Sequence, residues 1–143
     1  TSELGVNRTL LGEAVFGNPE SFARLEAIVH PAVAAARAAF LARHADAPVV
    51  VLDVPLLFEA GGWQQVDRIA VVSAEAAVQR ARVLARPGMT AERLDAILAR
   101  QMPDAEKRAR ADFVVDTSQG YEAAHQQVRE ILARIAKIAN RKS

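Results

Sequence analysis

The clearest chemical signal in the sequence is a set of long polar side chains on one predicted helix. Gln79, Arg82 and Arg86 follow one another at spacings of three and four residues, so they share one helix face. An Arg-Pro-Gly turn comes next, and a further predicted helix carries two more arginines and Gln101. Guanidinium groups stay charged and can each hold two phosphate oxygens, so this arrangement suits a mobile lid that closes over phosphates. Surface arginines that face water or pair with nearby acids would show the same spacing.

Two aspartates lie at the ends of apolar runs that are typical of buried strands. Asp53 lies near the end of the run Val49–Val54, and Asp116 ends the run at 112–116. In open parallel sheets, ligands gather beyond the carboxyl ends of the strands. A carboxylate there can orient water around a magnesium ion or accept a hydrogen bond from a ligand. It can equally cap the next backbone turn.

A rigid apolar segment follows Asp53. Pro55 disfavours a helical exit from the predicted strand, and three large apolar residues, 56–58, then precede Glu59. A solvated loop would not keep three such side chains together. The segment therefore predicts an apolar wall beside a charged strand end.

Composition narrows the class of protein. The chain has 143 residues, of which 51% are apolar, enough for a single domain with one core. Lysine plus arginine (18) and aspartate plus glutamate (17) nearly balance, which predicts no nucleic-acid or membrane partner. No run approaches the roughly 18 uninterrupted apolar residues of a membrane span. The absence of cysteine fits a reducing cytoplasm, and three scattered histidines do not predict a zinc site.

The elements that must position these residues alternate between helices and strands. Strands are predicted at 49–54, 68–73 and 112–116. Helices are predicted at 19–30, 31–44, 74–85, 91–101 and 121–139, with a short one after Pro103. Pro31 is expected to end or kink the first helix at His30, and Asn18, Ser73 and Thr90 are expected to be N-caps. The alternation predicts an α/β fold with a parallel sheet and right-handed crossovers.

Seven short segments give the sequence its resemblance to a known family. In order they are RTLLGEAVF at 8–16, LEAIVHP at 25–31, DVPLLFE at 53–59, VDRIAVV at 66–72, QRARVLAR at 79–86, RQMP at 100–103 and ADFVVD at 111–116. Together they resemble the dephospho-coenzyme A kinase family over nearly the whole chain. LEAIVHP and DVPLLFE at this separation, followed by the arginine run, are the most specific features.

The resemblance implies a fold and a reaction. The fold is a P-loop NTPase, nucleoside-kinase-like α/β core, with a helical substrate-binding part at 1–46, core segments at 47–78 and 111–143, and a lid at 79–110. The reaction is ATP-dependent phosphorylation of the ribose 3′-hydroxyl of dephospho-coenzyme A, the last step of coenzyme A synthesis. The implied partners are ATP and dephospho-coenzyme A, with Mg²⁺ as cofactor, in the cytoplasm.

The resemblance also implies roles for individual residues. Arg82 and Arg86 match the lid arginines, and Arg86 is the one expected at the transferring phosphate. Gln101 matches the glutamine that ends the second lid helix, where ATP binds. Asp116 and Thr117 match the loop beside the adenine, where the family usually has asparagine in place of Thr117.

The acceptor side is implied in the same way. His30 and Pro31 belong to the helical substrate-binding part. The wall against which dephospho-coenzyme A lies is formed by Pro55, Leu56, Leu57, Phe58 and Glu59. Asp53 is implied as a magnesium ligand acting through water.

One defining element of the family does not occur in the 143 residues. The phosphate-binding loop G-x-x-x-x-G-K-[ST] is absent from the sequence, as is the acidic motif that follows it in the family. Since the chain begins at Thr1 in mid-pattern, we expect upstream residues and read it as the carboxyl-side part of the kinase, inactive alone. Two alternatives stay open: a non-catalytic fragment that binds coenzyme A-like ligands, and another small-molecule P-loop kinase of the nucleoside monophosphate type.

Overall fold

The computed structural model describes residues 5–15 and 18–139. The chain divides into two compact units, Thr1–Val51 and Leu52–Ser143.

The first unit consists of two helices, α1 (Arg8–Val15) and α2 (Pro19–Arg43). The predicted cap at Asn18 is confirmed: its side-chain oxygen accepts a hydrogen bond from the backbone N–H of Ser21 at 3.0 Å. Pro19 follows at the first helical position, where its missing N–H has no helical partner to lose.

The predicted helix end at His30 is wrong. Helix α2 runs without interruption past Pro31 to Arg43. An internal proline removes one backbone hydrogen bond and disfavours the residue before it. The segment around it is rich in alanine, which has the highest helix propensity, so the remaining hydrogen bonds carry the helix through.

Helix α2 is also long and apolar enough to cross a membrane, judged by length and composition alone. Core helices of soluble proteins and signal sequences meet the same criterion. This feature is therefore weak evidence for a membrane span.

The predicted strand at 49–54 does not form. Residues 49–54 have no assigned secondary structure, and Val51 is 78% exposed. A strand exists only when its backbone N–H and C=O groups pair with a neighbour, and β-branched side chains alone do not supply one. In the described part of the chain, no strand lies beside this segment.

The second unit contains all the assigned strands of the described residues. Its elements, in order, are a 3₁₀ helix (Gly62–Gln65), β1 (Ala70–Ser73), α3 (Ala76–Leu84), α4 (Ala91–Leu98), α5 (Asp104–Arg110), β2 (Phe113–Asp116) and α6 (Tyr121–Ala139). The predicted helix at 121–139 is confirmed with the same bounds.

The two strands pair in parallel, as the alternation of elements predicts. Ala70 lies opposite Phe113, and Ser73 lies opposite Asp116. One face of β1 is buried while Val72, on the other face, is 69% exposed. The buried apolar side chains are Val71, Leu94, Phe113, Val115 and Ala124. The sheet therefore has a core on one side only, and its carboxyl edge is fixed by the paired ends of β1 and β2.

The open edge of β2 is closed by a side chain of α6. The Gln127 amide accepts a hydrogen bond from the backbone N–H of Asp116 at 2.8 Å and donates one to the Asp116 carbonyl at 2.9 Å. A primary amide thus takes the place of a neighbouring strand. Unpaired backbone groups at this position would be costly because the site is partly buried.

We expect Gln127→Ala to lower the free energy of unfolding by about 1–3 kcal/mol, because two partly buried backbone groups lose their partner. Gln126→Ala is the matched control: it lies one residue away on the same helix and bonds only exposed Glu130 and Arg129. Its effect should stay within about 0.5 kcal/mol. Urea unfolding of both variants measures the difference, and equal effects would contradict this role of Gln127.

Candidate active site

Four polar residues gather where the two strands end. Ser73 and Asp116 close β1 and β2, and Thr117 and Ser118 follow directly. The Thr117 N–H and hydroxyl both donate to the Ser73 carbonyl, at 2.9 and 3.0 Å. We call these four residues the carboxyl edge. It is the position at which open parallel sheets bind ligands.

A lid arginine reaches the carboxyl edge. Arg82, in the last turn of α3, donates to the Thr117 hydroxyl at 3.2 Å and to the Thr117 carbonyl at 2.8 Å. The structure therefore brings together a lid arginine, implied as catalytic, and a residue of the loop that the resemblance places beside the adenine. Their contact fixes α3 against the loop that follows β2.

Asp116 serves the turn that follows its own strand. One of its carboxylate oxygens accepts a hydrogen bond from the Ser118 N–H at 2.8 Å. Hydrogen bonds from Ser118 lower the pKa of this carboxyl group below its ordinary value, with a smaller contribution from the positive charge of Arg108. The carboxylate thus stays charged and holds the loop in shape.

A buried hydroxyl network lies beside the carboxyl edge, and the sequence reading missed it. Ser73, only 4% exposed, donates to the Asp104 carboxylate at 2.8 Å and accepts from Arg108 at 3.1 Å. The prediction of Ser73 as a helix cap is wrong: Glu75 precedes α3, and Ser73 points to α5 instead. The sequence did contain one signal for this network: Asp104 and Arg108 are four residues apart, so they lie on one face of a helix and can bind the same side chain.

Two interactions between residues of the lid hold its helices and its turn together. Arg80 of α3 pairs with Asp95 of α4 at 2.7 Å, and Arg93 donates to the Gly88 carbonyl at 2.8 Å. Gly88 has φ +74°, a conformation that the Arg-Pro-Gly turn obtains from glycine. The predicted cap at Thr90 is confirmed by its 3.3 Å bond from the Arg93 N–H.

Arg86 differs from these bracing arginines. Its backbone takes part in the turn after α3, but its guanidinium makes no hydrogen bond or ion pair with any residue among 5–15 and 18–139. Arg86 is exposed, whereas Gln101 near the end of α4 is half-buried. An exposed, unpaired guanidinium on a braced turn is available to an incoming anion.

The apolar segment after Asp53 forms a tight turn. The Ala60 N–H donates to the Leu56 carbonyl at 2.9 Å, and the Gly62 N–H donates to the Leu57 carbonyl at 3.0 Å. Leu56 is 45% exposed, and Pro55 is also exposed. The segment is therefore not sealed inside the protein.

Phe58 lies away from the carboxyl edge. With Trp63, Ile69 and Arg110 it lines a cleft of about 300 Å³. Ile69 directly precedes β1, and Arg110 ends α5 shortly before β2, so this cleft lies at the amino ends of the strands. Four strand residues, roughly 3.3 Å each, separate it from the carboxyl edge.

Glu59 does not point freely into solvent, as a residue of an exposed wall would, but binds two groups of the second unit. One carboxylate oxygen lies 2.8 Å from the Lys107 ammonium and accepts from the Met102 N–H at 2.8 Å. The hydrogen bond from Lys107, followed by backbone hydrogen bonds, lowers the pKa of this carboxyl group despite the opposing effect of burial. Glu59 is therefore a charged anchor between two segments of the second unit.

Two further predicted site residues are His30 and Asp53. His30 lies in the first unit, with its Nε2 3.9 Å from Glu26 on the same helix. Asp53 is exposed in a segment without secondary structure. Within the described residues, no three His, Asp or Glu side chains lie close enough together to hold a metal ion.

Comparison with known proteins identifies the family of the chain. A family model described as Dephospho-CoA kinase (CoaE) matches residues 2–123. The chain is 56% identical over 140 residues to the Dephospho-CoA kinase of Rhodopseudomonas palustris (strain BisB18), covering 96% of the chain and 70% of that relative. It is 57% identical over 129 residues to the Dephospho-CoA kinase of Mesorhizobium japonicum, covering 89% of the chain and 66% of that relative.

Solved structures share the fold of the chain. The crystal structure of TT1252 from Thermus thermophilus matches with a TM-score of 0.74 and 34% identity, covering 92% of this chain and 69% of that one. The Dephospho-CoA kinase from Campylobacter jejuni shares the fold, with a TM-score of 0.62 at 23% identity, covering 94% of this chain and 67% of that one. These likenesses confirm the predicted α/β fold of the P-loop type. With a family model over most of its length and relatives above 50% identity, the chain belongs to the dephospho-CoA kinase family, a family of phosphotransferases.

Proposed function

We propose that this chain supplies the lid, the nucleotide-side loop and part of the acceptor site of an ATP-dependent kinase. The reaction is phosphoryl transfer from ATP to the ribose 3′-hydroxyl of dephospho-coenzyme A, the last step of coenzyme A synthesis. Family membership supports the reaction class and argues against the nucleoside monophosphate kinase alternative. Both substrates are small water-borne molecules, so we place the reaction in the cytoplasm.

The contact between Arg82 and Thr117 carries the proposal. It joins the lid to the loop after β2 at the carboxyl edge, where a nucleotide would lie in a parallel α/β sheet. Thr117 stands where the family usually has asparagine. Its hydroxyl and carbonyl are both taken by Arg82, so we propose that adenine is recognised by neighbouring groups of this loop.

Arg86 is the group that we propose for the transferring phosphate. Phosphoryl transfer develops charge on the equatorial oxygens, and a fixed guanidinium stabilises that charge. The bracing pairs Arg80–Asp95 and Arg93–Gly88 hold the turn that carries Arg86. Preorganisation of this kind reduces the rearrangement needed when ATP arrives.

The acceptor side rests on the exposed residues before Glu59. Pro55 and Leu56 offer an apolar surface that suits the pantetheine arm of dephospho-coenzyme A. His30 is proposed for the same substrate from the resemblance alone.

A magnesium ion fits this chain only in part. Mg²⁺ keeps several waters and is bound through one or two carboxylates together with substrate phosphates. Asp53 is the carboxylate that we propose, acting through water, with ATP supplying most of the ligands. When bound, the ion would neutralise charge on the phosphates, while Arg86 and Arg82 do so from the protein side.

A direct test uses a chimeric kinase, in which this chain is joined to the family's P-loop segment from the 56%-identical Rhodopseudomonas palustris relative. We expect Arg82→Ala to weaken ATP binding about tenfold, the loss of roughly one charge-assisted hydrogen bond of 1.4 kcal/mol. Isothermal titration with a non-hydrolysable ATP analogue measures it.

The matched control is Arg129→Ala, since Arg129 bonds only Gln126 on the exposed face of α6. Its affinity for the analogue should equal that of the unchanged chimera. Equal affinity for the Arg82 variant as well would remove Arg82 from the nucleotide site. Binding of dephospho-coenzyme A without any binding of the analogue would favour the non-catalytic alternative.

A further inference from the structure

Glu59 joins two parts of the second unit that are distant in sequence. Its carboxylate meets the Met102 amide, 43 residues away, and the Lys107 ammonium in α5. The side chains of Glu59 and Lys107 are only 19% and 17% exposed. This ion pair is thus far more protected than the other ion pairs among the described residues, whose side chains are all at least 37% exposed.

Each end of this contact has a defined place in the proposed site. On one side, Glu59 sits on the tight turn that presents Leu56, and Gly61 closes that turn with φ +72°. On the other side, Met102 follows Arg100 and Gln101 at the end of the lid helices. The Glu59 carboxylate therefore sets the position of this part of the lid relative to the turn that presents Leu56.

We infer that Glu59 is a positioning residue, which holds the lid at Met102, between α4 and α5, through its carboxylate and does not contact the acceptor. Its Oε1 is shared by the Lys107 ammonium and the Met102 amide, so this oxygen is engaged within the second unit. This replaces the wall role that the resemblance implies for Glu59. The expected effect of Glu59 on catalysis rests on the proposed function. The contacts of Glu59 with Met102 and Lys107 do not depend on it.

Three variants separate the contact with Met102 from the contact with Lys107. Glu59→Gln keeps an oxygen for the Met102 N–H and loses the charge opposite Lys107. Lys107→Met removes the ammonium and leaves the Glu59–Met102 bond in place. Glu59→Ala removes both contacts. If the hydrogen bond to Met102 is the contact that positions the lid, only Glu59→Ala should change the exchange of the Met102 amide strongly.

Amide hydrogen exchange on the 143-residue chain tests the geometry. We expect the Met102 amide to exchange about tenfold or more faster in Glu59→Ala, and within about threefold of the unchanged chain in Glu59→Gln and Lys107→Met. The Val115 amide, in the core of β2, is the internal control and should change little in all three. Unchanged exchange at Met102 in Glu59→Ala would overturn the inference. Equal acceleration at Met102 and Val115 would also overturn it, because Glu59 would then act only on global stability.

Steady-state kinetics of the chimeric kinase test the consequence. We expect Glu59→Ala to lower kcat about tenfold with the KM for dephospho-coenzyme A within about twofold, and Glu59→Gln to restore most of the loss. A rise of about tenfold or more in that KM for Glu59→Gln would make Glu59 an acceptor contact and overturn the inference. A chimera with no turnover at all would contradict the proposed function, while the exchange result still decides the role of Glu59.

Discussion

Replacing Arg86 with alanine in the chimeric kinase is expected to lower kcat by about a hundredfold or more, equal to about 2.7 kcal/mol of transition-state stabilisation. The physical reason is that Arg86 is exposed and unpaired among the described residues, on a turn held by Arg93 and Gly88. Initial rates at saturating ATP and dephospho-coenzyme A measure the effect.

Two controls make this prediction specific. Arg86→Lys keeps the charge but loses the two-pronged geometry, so its kcat should fall between those of the unchanged chimera and the alanine variant. Arg129→Ala, on the exposed face of α6, should leave kcat unchanged. If Arg86→Ala turned over within about threefold of the unchanged chimera, Arg86 would be a surface residue and the lid would act through another group.

The 143-residue chain by itself is expected to form no product from ATP and dephospho-coenzyme A, whereas the chimeric kinase forms it. The chain contains no G-x-x-x-x-G-K-[ST] loop, whose backbone amides and lysine cradle the β- and γ-phosphates. Lid arginines alone cannot align the γ-phosphate with a hydroxyl, because positioning supplies about 7–11 kcal/mol of the barrier reduction.

Purified chain and chimera are compared with radiolabelled ATP at equal protein concentration. Product from the chain that scales with its concentration, and that disappears in Arg86→Ala, would show that these residues suffice. In that case the P-loop would not be needed for this reaction.

Local structure was largely predictable from the sequence. Helix α6 begins at Tyr121 and ends at Ala139 as predicted, because its apolar residues recur at helical spacing over five turns. The caps at Asn18 and Thr90 were also found, since a cap depends on residues within one turn. Helix bounds and caps are predictable because they are determined by a few neighbouring residues.

Two of the wrong predictions, the strand at 49–54 and the helix end at His30, failed because their outcome depends on more than the local sequence pattern. The run at 49–54 has the composition of a buried strand, yet Val51 is 78% exposed because no described strand lies beside it. Pro31 was expected to end or kink the first helix at His30, but α2 does not end there, because the alanine-rich flanks outweigh one lost hydrogen bond. In both cases the surroundings decided, not the residue type.

The sequence indicated which residue types form the site, but it did not indicate which residues bind one another. The spacing predicted Arg82 and Arg86 on one helix face, but α3 ends at Leu84 and Arg86 lies in the turn after it. Nothing local assigned Arg82 to Thr117, 35 residues away. The same holds for Ser73 with Asp104, and for Glu59 with Met102. Such pairs depend on how the elements pack, which periodicity does not encode.

The central claim is that this chain belongs to a kinase that transfers phosphate from ATP to the ribose 3′-hydroxyl of dephospho-coenzyme A. The most direct measurement is the position of the new phosphate on the product of the chimeric kinase, determined by ³¹P NMR and mass spectrometry. The account predicts coenzyme A, with a single added phosphate on the 3′-oxygen. Hydrolysis of ATP without transfer, or phosphate on a nucleoside monophosphate in place of dephospho-coenzyme A, would contradict it.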